Sequence, residues 1–474
     1  MGQEIGQDHF HKHDFDAFEA HIDDEMVLLS QWFEQQAFDA SRHTGGYEVE
    51  AWLIDKEYRP APINRQFLAK IDSNLVVPEL STFNVEINTT PQELQGRALK
   101  KMHNELDQTW SRCRRVAGEL GADMLMIGIL PTVGVQHLTL DNISVMTRYR
   151  ALNEQILRLR KGAPIELDIN GRESLVISHQ NVMLEAASTS FQIHLKVSQE
   201  QSVRFFNAAL IVSAPMVALT ANSPYLFSRD LWDETRIPLF EQAVSVRSPK
   251  SHWSDRVTFG SGYVQESLLE CFEENRLRFP VLLPETIDGP CEQLGHLLLH
   301  NGTVWRWNRP LIGFNADGVP HLRIEHRVVP AGPSVVDAIA NAAFFFGLVY
   351  SIANEEIPME NGLTFDQVRA NFYAAANQGL NARIDWIGGA GQPVQALLRE
   401  QLLPRARDGL ERQDFARDDI NFYLGIIERR LDCWCNGAAW QRGWVEQHGS
   451  DMQALTTAYA ERQRGGAPVH QWEL

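Results

Sequence analysis

The chain has 474 residues, of which 44% are hydrophobic and 22% charged, and a formal charge of −18 at neutral pH. Its length allows a large buried core and about two to four domains. The acidic balance argues against a nucleic-acid surface, which needs a basic patch. It leaves room for ATP, because a metal ion and a few arginines reverse the sign inside one cleft.

Residues 1–13 carry His9, His11 and His13 and read as a flexible polar tail. They lack the apolar stretch of a signal peptide. Phe15, Phe18, Ile22, Met26 and Leu29 recur at helical spacing and predict a helix from Phe15 to about Ala40. Gly45-Gly46 then leads into a strand, Tyr47 to Asp55, on which Glu48 and Glu50 share a face because side chains two apart point the same way. A loop marked by Pro60, Pro62 and Asn64 follows.

The segment Glu79 to Pro91 is read as a strand that turns into a helix. Phe83, Val85 and Ile87 alternate with Asn84, Glu86 and Asn88. Thr90, Pro91 and Glu93 have the form of an N-cap, a first helical residue and a capping box, predicting one helix over 91–119 that ends at Gly121. Asp123–Leu130 reads as a buried strand. Residues 142–160 have a helical pattern bearing Arg148, Arg150, Arg158 and Arg160. Ser188–Val197 is a strand with Gln192 and His194 on one face, and Ser198 with Gln201 forms a capping box for a helix to about Leu219.

Arg229–Gly262 is loop-rich, with Trp232, Arg236 and Trp253, and long loops inside compact domains are often functional. Thr303–Asn308 reads as a strand followed by Arg309. His321–Val328 is another, aligning Arg323, Glu325 and Arg327 on one face. Pro333-Ser334 opens an apolar helix to about Ile352, and 364–462 reads as helices separated by Gly388-Gly389, Pro404 and Gly449.

No apolar run reaches the ~18 residues of a membrane span, and the longest, around Ala208–Ala221 and Ala338–Ile352, fit buried helices. Five cysteines without a secretory signal suit reduced thiols in the cytoplasm, and Cys433-Trp434-Cys435 lacks the second pair that a zinc site needs. The expected organisation is a single catalytic domain spanning 1–474 with a helical C-terminal layer from 364.

Four strands with in-phase polar faces would gather Glu48, Glu50, Glu86, Gln192, His194, Arg323, Glu325 and Arg327 on one side of a sheet. Carboxylate oxygens suit Mg²⁺ and guanidinium groups suit phosphate oxygens. The glycine-led E-x-E strand, the segment Glu86-Ile87-Asn88-Thr89-Thr90-Pro91, the strand of Gln192 and His194, Asn222-Ser223-Pro224 and the E-x-R strand occur in the order of a known family. Over roughly residues 45 to 345 the chain resembles glutamate–cysteine ligases and related carboxylate–amine ligases.

The resemblance implies an α+β fold similar to the catalytic domain of glutamine synthetase: a curved, mostly antiparallel sheet flanked by helices. It implies ATP with Mg²⁺ or Mn²⁺, and an amide or γ-glutamyl bond made through an acyl phosphate. The substrates would be a small acid and an amine, both of amino-acid type, with no nucleic-acid or membrane partner; a homodimer is compatible with it.

By the same resemblance Glu50, Glu86 and Glu325 are metal ligands, with Glu48 and Glu79 secondary. Glu325 and Arg327 carry the chemistry, and Arg327 meets the transferred phosphate or the acid. Arg236, Arg309, His194 and Gln192 are nucleotide-side candidates, and Arg148-Tyr149 resembles a segment near the substrate pocket. Relatives usually read H-x-H where this chain has Gln192 and His194, which bears on the metal count. A guanidino-kinase-like phosphotransferase and a non-catalytic binding protein are the competing readings.

Overall fold

The computed structural model describes residues 4–247 and 255–474. Trp253, counted in the long loop, lies outside the described residues. The centre of the molecule is an eight-stranded sheet whose main path uses six strands: β1 Thr44–Ile54, β2 Val76–Pro78, β3 Asn84–Asn88, β4 Ser190–Val197, β5 Asn308–Phe314 and β6 Pro320–Pro330. They pair antiparallel in the order β5-β6-β4-β1-β3-β2, and two short segments, Gln92–Glu93 and Asp123–Leu125, pair with the ends of β1. The mostly antiparallel curved sheet with flanking helices is the α+β class expected from the sequence.

Period-two alternation gives this sheet two unlike faces. Tyr47, Val49 and Ala51 of β1 and Phe191, Ile193 and Leu195 of β4 are buried on the apolar face. Two helices cover it, α1 Gln199–Thr220 and α2 Val335–Ala353, and the rings of Tyr47, Phe191, Phe346, His326 and Phe345 meet there. Both helices are apolar enough over 18 residues to cross a bilayer, with mean hydropathy 1.6 and 1.8, so the apolar runs are longer than the sequence reading allowed. Their stripes are 89% and 100% buried inside the protein. A helix apolar all round is what a central layer requires.

The helix Leu403–Arg412, part of the C-terminal layer, crosses α2 at very short range. A Cβ on Gly409 would lie 1.9 Å from the Gly347 carbonyl oxygen, and one on Gly347 would lie 2.2 Å from that of Ala406. The buried ion pair Arg430–Asp337 at 2.7 Å ties another C-terminal helix, Arg417–Asp432, to the first turn of α2, where Ser334 accepts the Asp337 N–H.

Several local expectations are corrected. Ile5 and Phe10 are buried, so the tail is packed from its fifth residue, and the first helix runs Lys12–Gln35. The helix read over 91–119 starts only at Ala98. Gln92–Glu93 instead pairs with Thr44 and Gly45, and Thr90 donates to Glu105, so long-range pairing outcompetes the local cap. Asp123–Leu125 is a three-residue strand rather than eight. Ser198 precedes its helix without capping it, donating instead to the Gln201 side chain at 3.2 Å. The strand read at Thr303–Asn308 is Trp305–Arg306, and Arg309 lies inside β5. The loop after Arg229 contains the helix Arg236–Ala243, and hairpins Ile165–Asn170/Ser174–His179 and Arg383–Trp386/Gly389–Pro393 went unread.

Gly409→Ala is expected to force these helices apart and lower stability by about 1–3 kcal/mol, the usual cost of overpacking. Urea denaturation of the variant beside wild type measures it.

Candidate active site

Register decides which side chains meet on the polar face. Glu50 stands directly opposite Glu86, Glu48 opposite Asn88 on one side and Gln192 on the other, and His194 opposite Glu325, which in turn faces Arg309. All of these except Asn88 and His194 border a cavity of about 350 Å³. Its walls include Glu48, Glu50, Glu79, Glu86, Gln192, Arg309, Glu325 and Arg327, all expected from the sequence, together with Arg148, Tyr149 and Arg323. Apolar side chains line it as well, among them Leu152, Val182, Val244, Leu299 and Ile312.

His194 is placed differently: it borders a second cavity, of about 480 Å³, together with Gly46, Lys196 and His321. Glu48 and Arg323 line both cavities, so they stand where the two meet. Arg236 lines neither. It is fully engaged beneath the sheet, paired with Glu234 at 3.1 Å and donating to the backbone carbonyls of Arg327 and Val328. The β6 register slips between His326 and Val329, and Arg236 satisfies the carbonyls left there. The expectation that Arg236 contacts a nucleotide is therefore corrected: it supports the strand that presents Arg327.

In each of two groups the metal-type ligand atoms lie within 4.8 Å of one another. Glu48, His194 and Glu325 form one, and Glu50, Glu79 and Glu86 the other. In the first, His194 Nε2 is 3.1 Å from Glu48 Oε1 and 3.8 Å from Glu325 Oε1, but off the line of a hydrogen bond, and both ring nitrogens are buried without a partner. A buried imidazole nitrogen within ion-pair distance of two carboxylates gives a ligand set that fits a divalent cation held between them. The three-acid group offers oxygens alone, as a hard divalent ion prefers.

Charge is unevenly compensated. Arg309 is bidentate on Glu325 at 2.8 and 2.9 Å, and Arg327 lies 3.0 Å from it while donating to Gln192 Oε1. Burial alone would raise the Glu325 carboxyl, but Arg309, Arg327 and His194 bring it to about 2. Glu48 is likewise held well below the usual range, burial being outweighed by His194 and Arg327.

The three-acid group goes the other way. Burial and the Glu48 charge push Glu86 up to about 7; burial, Glu86 and Glu50 push Glu79 well up; and burial raises Glu50 although Ser190 donates to both its oxygens. Glu185 joins this wall and was missed. It sits on the 3-10 turn Val182–Ala187, outside any alternating strand, and burial and Glu50 raise it to about 8. Arg148, noted only within a basic helix and a resemblance, places a buried guanidinium nitrogen without a partner at the same cavity.

The folded pKa of Glu86 exceeds its ordinary 4.5, so its contribution to stability is complete below about 4.5 and lost as pH rises through about 7. Glu185 acts in the same direction through about 8. Glu48 and Glu325 are ionised in both states above pH 6 and add no slope there. Metal-free protein should therefore lose stability between pH 6 and 8. Glu86→Gln should melt higher than wild type at pH 8, by on the order of 1–3 kcal/mol, and show a flatter profile. Thermal melts in chelator across that range measure this.

Comparison with known proteins bears on what the site belongs to. No curated protein matches the sequence. Among solved structures, the chain is similar to a glutamate–cysteine ligase from Francisella tularensis crystallised in complex with AMP, at 12% identity and TM-score 0.58, over 90% of each chain. It is also similar to a bifunctional glutathione synthetase from Pasteurella multocida, at 11% identity and TM-score 0.53, over 93% of this chain but only 54% of that one. At such identity these likenesses show a shared fold. The sequence profile of glutamate-cysteine ligase family 2 matches residues 44–461, from the first residue of β1 to near the end of the last long helix, and the chain belongs to that family.

Proposed function

We propose that the protein is an ATP-dependent carboxylate–amine ligase that activates a carboxylate, glutamate by default, as an acyl phosphate and passes it to an amine. One observation carries this reading: five carboxylates of two metal-type ligand groups, Glu48 and Glu325 of one and Glu50, Glu79 and Glu86 of the other, share a cavity with Arg148, Arg309, Arg323 and Arg327. A carboxylate oxygen is a poor leaving group, and phosphorylation makes it a good one. The work left to the protein is to position the reactants and neutralise charge.

Glu48, His194 and Glu325 would hold one divalent ion, and Glu50, Glu79 and Glu86 another. Mg²⁺ or Mn²⁺ there would neutralise phosphate oxygens during transfer. Arg327, fixed by Glu325 and by the strand that Arg236 supports, would meet the transferred phosphate. Arg148, with its unpartnered nitrogen, suits the acid's free carboxylate. Gln192 accepts from Arg327 and donates to Glu50 at 3.0 Å, so where relatives carry a second histidine this chain ties an arginine to an acid. The amine would enter past the apolar side chains of Leu152, Val182 and Leu299. The proposal extends to amino-acid-type substrates and a cytoplasmic setting.

The phosphotransferase reading relies on a reactive thiol. Among the described residues no cysteine lines either cavity, and burial pushes the Cys113 and Cys271 thiols up to about 12 and 11.

Hydroxylamine traps acyl phosphates as hydroxamates without using an amine subsite. With Mg-ATP and pooled amino acids the protein should yield a hydroxamate, ADP and phosphate. AMP and pyrophosphate as stoichiometric products would overturn the acyl-phosphate route. Two variants test the assignments. Glu86→Ala should keep the fold by circular dichroism yet turn over more than ~10-fold slower. A unit charge at ~4 Å and an effective dielectric of ~20 is worth about 4 kcal/mol, and losing half of that exceeds one decade in rate. Arg148→Ala should raise the KM of the acid by about tenfold or more while leaving that of ATP nearly unchanged, as steady-state kinetics would show.

A further inference from the structure

Two helices that help wall the first cavity are held from the start of the chain. The helix Thr147–Leu159 brings Arg148, Tyr149 and Leu152 to that cavity, and Gly295–Gly302 brings Leu298, Leu299 and Asn301. Neither has a side-chain cap at the preceding residue, Met146 or Leu294, although the first N–H groups of a helix need acceptors. Acids far away in sequence take that place. The Glu4 carboxylate accepts from the N–H groups of Thr147 at 2.8 Å and Arg148 at 3.3 Å. Glu25, on the helix Lys12–Gln35, accepts from those of Leu297 at 2.7 Å and His296 at 3.3 Å.

The chain after Glu4 runs along the outer face of Thr147–Leu159. Asp8 lies 4.0 Å from Arg150, His9 lies 2.8 Å from Glu154, and the Arg158 guanidinium stands 5.2 Å from the centre of the Phe15 ring. Arg150, Glu154 and Arg158 are exposed and recur every fourth residue, so they form one face; Tyr149 and Leu152 are buried on another and line the cavity. Ile5 and Phe10 are buried, and the Gly6 N–H donates to Glu285 at 3.0 Å, so this strap is anchored by contacts of its own. It lies ahead of the stretch 44–461 that the family profile matches.

We propose that Glu4 is a positioning residue, which fixes the first turn of Thr147–Leu159 and through it aims Arg148 at the free carboxylate of glutamate. The proposal rests on the reading of Arg148 given above. Arg148 is the second residue of that helix, and its own N–H is one of the two that Glu4 binds. Its guanidinium lies 5.2 Å from the Tyr149 ring and has a buried nitrogen without a partner, so the backbone is what chiefly places it. A carboxylate at a helix N-terminus satisfies the open N–H groups and suits the positive end of the helix dipole. Without it the first turn frays, and a guanidinium carried on a fraying turn meets its ligand for only part of the time.

Steady-state hydroxamate formation from glutamate and Mg-ATP, with the full-length protein, tests this. Glu4→Ala should raise the KM of glutamate about fivefold, the equivalent of the ~1 kcal/mol typical of a lost cap, with kcat and the KM of ATP changed by less than about twofold. Glu4→Gln, which keeps an acceptor oxygen, should recover most of that loss. In an Arg148→Ala background Glu4→Ala should add nothing, because the group it aims is gone. Hydrogen exchange read by peptide mass, without ligand, should show the Thr147 and Arg148 amides exchanging faster in Glu4→Ala. If Arg148→Ala raises the KM of glutamate and Glu4→Ala does not, the proposal falls and the reading of Arg148 stands. If neither raises it, or wild type does not turn over glutamate, that reading falls and the proposal with it. Equal losses in both backgrounds, or unchanged exchange, would also overturn the proposal.

Discussion

The structure turns on the repulsion between carboxylates on facing strands. Glu50 and Glu86 are direct cross-strand partners in a buried wall, with Glu79 and Glu185 beside them. Like charges directly opposite destabilise a sheet, and burial removes the water that would screen them. Part of the cost is met by protonation, which is why this group's carboxyls are raised, while Glu48 and Glu325 stay ionised beside His194 and the arginines. The same few ångströms thus hold one acid group partly balanced by the arginines and His194 and another with less fixed positive charge beside it.

Such a wall persists because the other face of the sheet is so thoroughly buried. α1 and α2 bury nearly their whole circumference between the sheet and the C-terminal helices, and close glycine contacts and the Arg430–Asp337 pair fix their positions. A large apolar layer can offset several kcal/mol of local repulsion, since each square ångström of apolar surface removed from water contributes roughly 25 cal/mol. Stability on one face supports the strain that function needs on the other. Arg236 links the two, because it lies beneath the sheet and satisfies the irregular turn of β6 that carries Arg327.

The polar face was legible in the sequence because strand side chains alternate strictly. Glu48 with Glu50, Gln192 with His194, and Glu325 with Arg327 needed only their spacing. What alternation could not supply was register: that Glu50 faces Glu86, and that His194 opens on a second cavity, follows from pairing between residues far apart in the chain. Glu185 escaped because a 3-10 turn has no repeating face to mark it. Thr90, Pro91 and Glu93 misled because their local cap signal was sound, yet Gln92 and Glu93 gained more by extending the sheet beside β1. Arg236 looked like a ligand-binding residue in a loop, and only its burial beneath β6 reveals a supporting one.

The central claim is that the two acid groups are divalent-ion sites, that of Glu48 at the junction of two cavities and that of Glu50, Glu79 and Glu86 within the first. It is tested most directly by anomalous diffraction from crystals grown with Mn²⁺ and a non-hydrolysable ATP analogue. The account predicts one Mn²⁺ peak bounded by Glu48, His194 and Glu325 and a second bounded by Glu50, Glu79 and Glu86, each with ligand oxygens at about 2.0–2.3 Å, as hard cations of this size require. Nucleotide bound with no Mn²⁺ at either group would contradict it.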